Sequence, residues 1–291
     1  MGRLISAEFR KILTTKMWWA LLIPTVALAA LWSIAGNLLI GLVLDSINRS
    51  VVTSELRLNF NNLPWSTLIF ARTVNITALF PIVFGALALS SEINRRTITT
   101  SYLTAPNRGS LLGAKLITYA VWGLGFGVVI TGVASIGTLI ASRPEQLPDA
   151  ISWLEIAGSG ILSCMLWTLL AMGVGALFGS PIASIISLLL YTLLVENLIG
   201  TLLPYNWPGI LINGSADGLT GSVASQLVVD KVASISPFIS GDAQQLFSDL
   251  IRAGAGARGA FDWWISGLIF AGWTAVFAVG GWFMSRQRDI T

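Results

Sequence analysis

A chain of 291 residues that is 54% apolar and only 11% charged is unlike water-soluble domains, in which about 25% of residues are charged. There is no histidine and one cysteine, Cys164; this excludes a disulfide framework and leaves a zinc site without its usual ligand sets. A mean hydropathy of +0.77 excludes disorder, and the medium that suits the net charge of +3 and this apolarity is a lipid bilayer.

The predicted fold is an all-α membrane protein, a single transmembrane domain over residues 1–291. Residues 1–17 form an amphipathic interfacial helix: Leu4, Ile5, Phe9, Ile12 and Leu13 approximate a 3.6-residue period, with Arg10 and Lys11 suited to an anionic leaflet. Six stretches then reach the about 20 apolar residues that a roughly 30 Å hydrocarbon core requires: 18–44, 68–89, 112–141, 152–178, 182–203 and 262–284. The first begins like a signal peptide, with Ala27-Leu28-Ala29 resembling a cleavage site, but its apolar run continues well past the length of such a segment. Trp18, Trp19, Trp65, Trp153, Trp263, Trp264 and Trp282 fall where spans meet headgroups.

Placing both termini in the cytoplasm gathers ten of the 17 basic residues there, among them Arg3, Arg10, Lys11, Arg95, Arg96, Arg108 and Lys115, with only Glu8, Glu92 and Asp289 of the 14 acids. This obeys the positive-inside rule and explains the basic balance without a nucleic-acid partner.

Between the second and third spans, residues 90–111 are polar and rich in hydroxyls. Ile98, Tyr102 and Leu103 recur at near-helical spacing, and Pro106 ends the pattern; a short cytoplasmic helix and a solvated reversing loop both fit. Residues 204–261, rich in Gly, Ser and Asp, form the largest outer loop, with short surface or partly re-entrant helices expected at 204–212 and 222–239. Asn48-Arg49-Ser50 and Asn213-Gly214-Ser215 match the short glycosylation sequon.

Phosphate-binding loops, nucleophile elbows and metal motifs are absent from the sequence, so no catalytic residue, bound cofactor or metal is expected. Ionisable residues within the spans are the default functional candidates. Glu196, with Asn197 beside it, is the strongest, as part of a substrate path or proton route; a carboxylate bonded to another helix is the plainer alternative, with Arg72 a possible partner. Gly123, Gly125, Gly127, Gly173 and Gly175 suit helix packing.

The segment Ala7-Glu8-Phe9-Arg10-Lys11-Ile12-Leu13-Thr14-Thr15-Lys16, leading into a tryptophan-headed span, and the run from Glu92 to Gly109 followed by Leu-Leu-Gly-Ala-Lys, resemble membrane subunits of the ABC transporter type 2 permeases (the type V exporter fold), especially actinobacterial ones. The resemblance implies a coupling helix after the second span that docks into a separate ATPase, with Glu92, Arg95, Arg96, Thr97, Ile98, Thr99, Thr100 and Tyr102 at the contact. It implies an N-terminal connecting helix touching the same ATPase through Glu8, Arg10 and Lys11. It further implies two ATPase copies carrying ATP and Mg, a second permease chain (identical or related), and a multi-pass place in a bacterial cytoplasmic membrane. The expected function is the permease subunit of an exporter of a lipid-like, peptide or amphipathic small molecule. A membrane anchor or sensor for a regulatory ATPase and a stand-alone secondary transporter are the alternatives. One departure is Arg96, where the family pattern tends to have Gly before the Thr.

Overall fold

The computed structural model describes residues 1–49, 62–98, 106–204, 207–235 and 241–287. Among these the chain is all-helical, and six helical segments are long and apolar enough to cross a membrane: Met17–Ile47, Ser66–Asn94, Arg108–Ala141, Ala150–Phe178, Pro181–Leu202 and Trp263–Ser285. They are built from α2 (Met17–Asn48), α3 (Ser66–Thr77) with α4 (Leu79–Asn94), α5 (Arg108–Ala141), α6 (Ala150–Phe178), α7 (Pro181–Leu190) with α8 (Glu196–Leu202), and α11 (Trp263–Gln287). Ahead of them lies α1 (Gly2–Thr14), and between the last two spans lie α9 (Ile212–Ile235) and α10 (Gly241–Ala255).

Side-chain chemistry sets the ends of these helices. Asn107 caps α5 by accepting from Ser110 N at 2.6 Å, and Asp149 caps α6 by accepting from Ile151 N and Ser152 N; each answers amide groups that a helix start leaves unpaired. α6 ends at Gly179 in the left-handed region (φ 67), and Ser180 with Pro181 starts α7 at once, so the fourth and fifth spans are joined by a tight turn. In the second span Pro81 lacks the N–H that would bond Thr77 O, which separates α3 from α4.

The fourth span is central. A Cβ at Gly85 would overlap the Thr168 carbonyl, one at Gly173 the Phe277 carbonyl and one at Gly175 the Ala86 carbonyl; at Gly123 it would come to 2.8 Å from Met165 Cα and at Gly127 to 2.7 Å from Ile161 Cα. α6 therefore touches α4, α5 and α11 nearly backbone to backbone, the close approach that small residues permit where no hydrophobic force drives helices together. Gly125 faces open space, so of the five glycines expected to pack, this one does not. The first, fifth and sixth spans leave most of their apolar surface uncovered, with Leu39, Ile182, Leu202 and Leu268 all exposed, the surface a bilayer would cover.

The region 204–261 departs from the expectation of short surface helices. α9 is 24 residues long and packs among α3, α6, α10 and α11, with Ser215, Ala216, Leu219, Thr220, Ala224 and Val228 buried. The short turn Pro208–Ile210 just ahead of it lies beside the middle of the sixth span, where Trp273 Nε1 donates to Ile210 O at 2.9 Å. Farther along, Thr67, near the start of the second span, donates to Ala224 O at 3.1 Å. α9 and α10 therefore form a hairpin let into the bundle from the end opposite α1, with the start of α9 buried at depth. Asn213 sits in the first turn of α9 and is half-buried.

Candidate functional site

At the α1 end, three sequence-distant segments meet on one ammonium group. Lys115, in the second turn of α5, is fully buried; its Nζ donates to Glu8 Oε2 of α1 at 2.7 Å and to Glu92 Oε1 of α4 at 2.6 Å. Glu8 and Glu92 are themselves buried, and the half-exposed Lys11 forms a second ion pair with Glu92. Two ammonium groups and two carboxylates make the cluster neutral, which is what allows it to leave water. Around it Phe84, Leu89, Leu112, Tyr119 and Phe126 form an apolar shell that also takes Ile12 of α1 and Ile98. α1 is amphipathic as expected, and its Glu8 and Ile12, one turn apart, are the residues that plug into the bundle.

This clasp sits at the base of the connection between the second and third spans. Glu92 is in the last turn of the second span, and Lys115 follows soon after the third begins. Between them, α4 closes with Arg96 N donating to Ile93 O (3.1 Å) and Thr97 N to Glu92 O (3.0 Å), the paired bonds of a Schellman ending. Arg96 holds the left-handed position at φ 57, the only non-glycine with positive φ among the described residues. The backbone at this position therefore favours glycine, where this chain has Arg. Arg95, Arg96 and Thr97 are exposed.

The candidate contact residues divide on this geometry. Arg10, Arg95, Arg96 and Thr97 lie at the surface, and Lys11 straddles surface and clasp. Glu8 and Glu92 are buried and face inward to Lys115, so they position the surface residues, while Ile98 packs on the apolar shell and stays partly exposed. Thr99, Thr100 and Tyr102 lie outside the described residues. The sequence places Lys115 in the charge count and at the end of the Leu-Leu-Gly-Ala-Lys run but gives it no role; a lone cation seven residues inside an otherwise apolar helix was the available signal.

Glu196 is buried, and its partner is a helix start and not Arg72. The first-turn amides of α9 have no local cap, since Leu211 precedes them. Glu196 Oε2 accepts from Asn213 N at 2.8 Å and Oε1 from Gly214 N at 2.6 Å, while the Tyr191 hydroxyl bonds both Glu196 and the Ile212 amide. Negative charge at a helix N-terminus is doubly favourable, through the hydrogen bonds and the helix dipole. Gly214 is required there because a Cβ would overlap the Pro208 carbonyl. Asn197 is exposed, and its amide donates to Thr192 O and Leu193 O; these carbonyls belong to the π-helical turn Tyr191–Val195, whose irregular ladder it helps to satisfy. Both residues thus serve the wall of the fifth span. Arg72 instead faces α9 and α10: a Cβ on Gly256 would meet its Nη1 at 2.7 Å and Asp217 Oδ2 at 3.4 Å.

Among the described residues no group of three or more His, Cys, Asp or Glu side chains is placed to hold a metal ion. No protein-family profile matches the chain, and comparison with curated proteins finds no match.

Proposed function

We propose that this chain is the permease subunit of an ATP-driven exporter of the ABC transporter type 2 class, lying in a bacterial cytoplasmic membrane with the α1 end inside. ATP and Mg would be held by two copies of a separate ATPase, and a second permease chain would complete the path for a lipid-like, peptide or amphipathic cargo. The observation that carries this reading is the clasp. It mounts the exposed Arg95–Thr97 turn rigidly on the second span through Glu92, on the third through Lys115 and on α1 through Glu8. A partner that pushed on that turn would therefore move three elements as one body, the mechanical requirement for an energy source on another chain. α1, with Arg10 exposed beside the clasp, offers the same partner a second contact.

Two measurements test this. Cys164 is the sole cysteine and is fully buried, so a single thiol placed by Arg95→Cys reports sidedness without background; it should resist membrane-impermeant maleimide in intact cells and react after lysis. The Arg95→Glu/Arg96→Glu variant should insert normally yet recover less ATPase when the tagged chain is purified from its host's membranes. Labelling in intact cells, or undiminished ATPase recovery, overturns the proposal.

A further inference from the structure

At the end opposite the clasp, a cavity of about 300 Å³ opens between the starts of α6 and α11, the middle of α9 and the end of α10. It continues into a second, more apolar space of about 190 Å³ that runs down α6, the two sharing Glu155, Val223 and Trp263 as walls. Together they lie in the size range of small-molecule sites. Their chemistry differs along the length. The upper chamber carries Glu155, Asp262 and Arg252, with Gln226 and Trp264. The lower is lined by Gly158, Ser159, Leu162 and Leu219. At about 1.5 Å per helical residue, Leu162 lies roughly 10 Å deeper along α6 than Glu155, so charge sits at the level of the interfacial tryptophans and apolar surface sits beneath it.

The three charges line one chamber without pairing: none of Glu155, Arg252 and Asp262 belongs to an ion pair among the described residues. An anionic headgroup would satisfy Arg252 but meet two carboxylates, and a purely cationic one would satisfy the carboxylates but meet the guanidinium. A phosphate joined to a primary amine satisfies all three. The guanidinium fork binds phosphate, the ammonium has three donors for the two carboxylates, and exposed Trp263 and Trp264 offer aromatic faces to the cation.

We infer that this groove is a lateral binding site for one amino-phospholipid, with the phosphoethanolamine headgroup among Glu155, Arg252 and Asp262 and an acyl chain passing Gly158 and Leu162. The site stands on this geometry alone and does not depend on the exporter reading. Gly158 supplies the means to test it: a Cβ there meets nothing, so a bulky side chain fills the lower chamber without disturbing the bundle.

The experiment is native mass spectrometry of the delipidated full-length protein titrated with dioleoylphosphatidylethanolamine or dioleoylphosphatidylglycerol. One ethanolamine lipid should be retained, with the glycerol lipid about tenfold weaker, the worth of one charge-assisted hydrogen bond. Glu155→Gln/Asp262→Asn should abolish that preference. Gly158→Trp should abolish retention with an unchanged thermal melt, and Leu162→Trp provides a second block from the same wall. Equal retention of the two lipids, or full retention by both tryptophan variants, overturns the inference.

Discussion

Lys115 Nζ lies 2.7 Å from Glu8 Oε2 across 107 residues of chain, with no surface of its own in contact with water. Removing one partner from such a cluster costs more than the pair contributes, because the remaining charge stays buried and unmatched. Lys115→Met should therefore destabilise the protein by about 3–5 kcal/mol, measured as a lowered melting temperature in detergent. Combining it with Glu8→Gln and Glu92→Gln should restore much of the loss, since no buried charge then lacks a counterpart.

Glu196 acts as the cap of a buried helix start. Glu196→Gln keeps one carbonyl acceptor and should cost about 1 kcal/mol, whereas Glu196→Ala leaves the Asn213 and Gly214 amides without acceptors and should cost about 2–4 kcal/mol. Hydrogen exchange at the first turn of α9 should accelerate in the alanine variant, with little change at the clasp. A glutamine variant that melts normally but loses pH-dependent transport would assign the carboxylate to proton movement instead.

Arg96 occupies a backbone position that costs an L-residue about 1 kcal/mol relative to glycine. Arg96→Gly should raise the melting temperature while reducing ATPase capture in the purification described above. A gain in stability with unaltered capture would mean that the guanidinium is not part of the contact.

Asp217 lies on α9, outside the spanning helices, and burial lifts its carboxyl to about 7, with Arg72 opposing the rise and Glu196 adding to it. Because the folded-state value exceeds the ordinary one of 3.8, the folded chain holds this proton more tightly than the unfolded chain does. The resulting stability is complete below 3.8 and is lost as pH rises through about 7. Asp217→Asn should flatten the melting profile between pH 3.8 and about 7 and raise the melting temperature above that window. An unchanged slope would count against this assignment.

The six spans were legible because continuous apolar runs of bilayer length have few other uses. Their ends were less so. The second span extends to Asn94, five residues past its apolar limit, because Ser90 and Ser91 turn their hydroxyls back onto the Ala86 and Leu87 carbonyls, each at 2.5 Å, which lets polar residues continue the helix. α9 was hidden for the opposite reason. Its Asn213-Gly214-Ser215 start and its further small residues look like loop composition, yet Gly214, Gly218 and Gly221 are what admit neighbouring chain at contact distance. The clasp was legible only as separate charges, since nothing in linear spacing pairs residue 8 with residue 115. Glu196 was visible as an anomaly, but its partners are main-chain amides, which carry no sequence signature.

The reach of the Glu8–Lys115 pair also sets an order of assembly. While the chain is being synthesised, α1 and the first two spans exist before the cation that holds them, so Glu8 must wait at the water boundary, where an ionised carboxylate is at no disadvantage. Only when the third helix has been delivered to the bilayer does that waiting charge gain a reason to go under. α1, although it precedes every span in the chain, is thus among the last of the early pieces to be fastened, and a nascent chain halted after its second crossing would carry α1 unmoored.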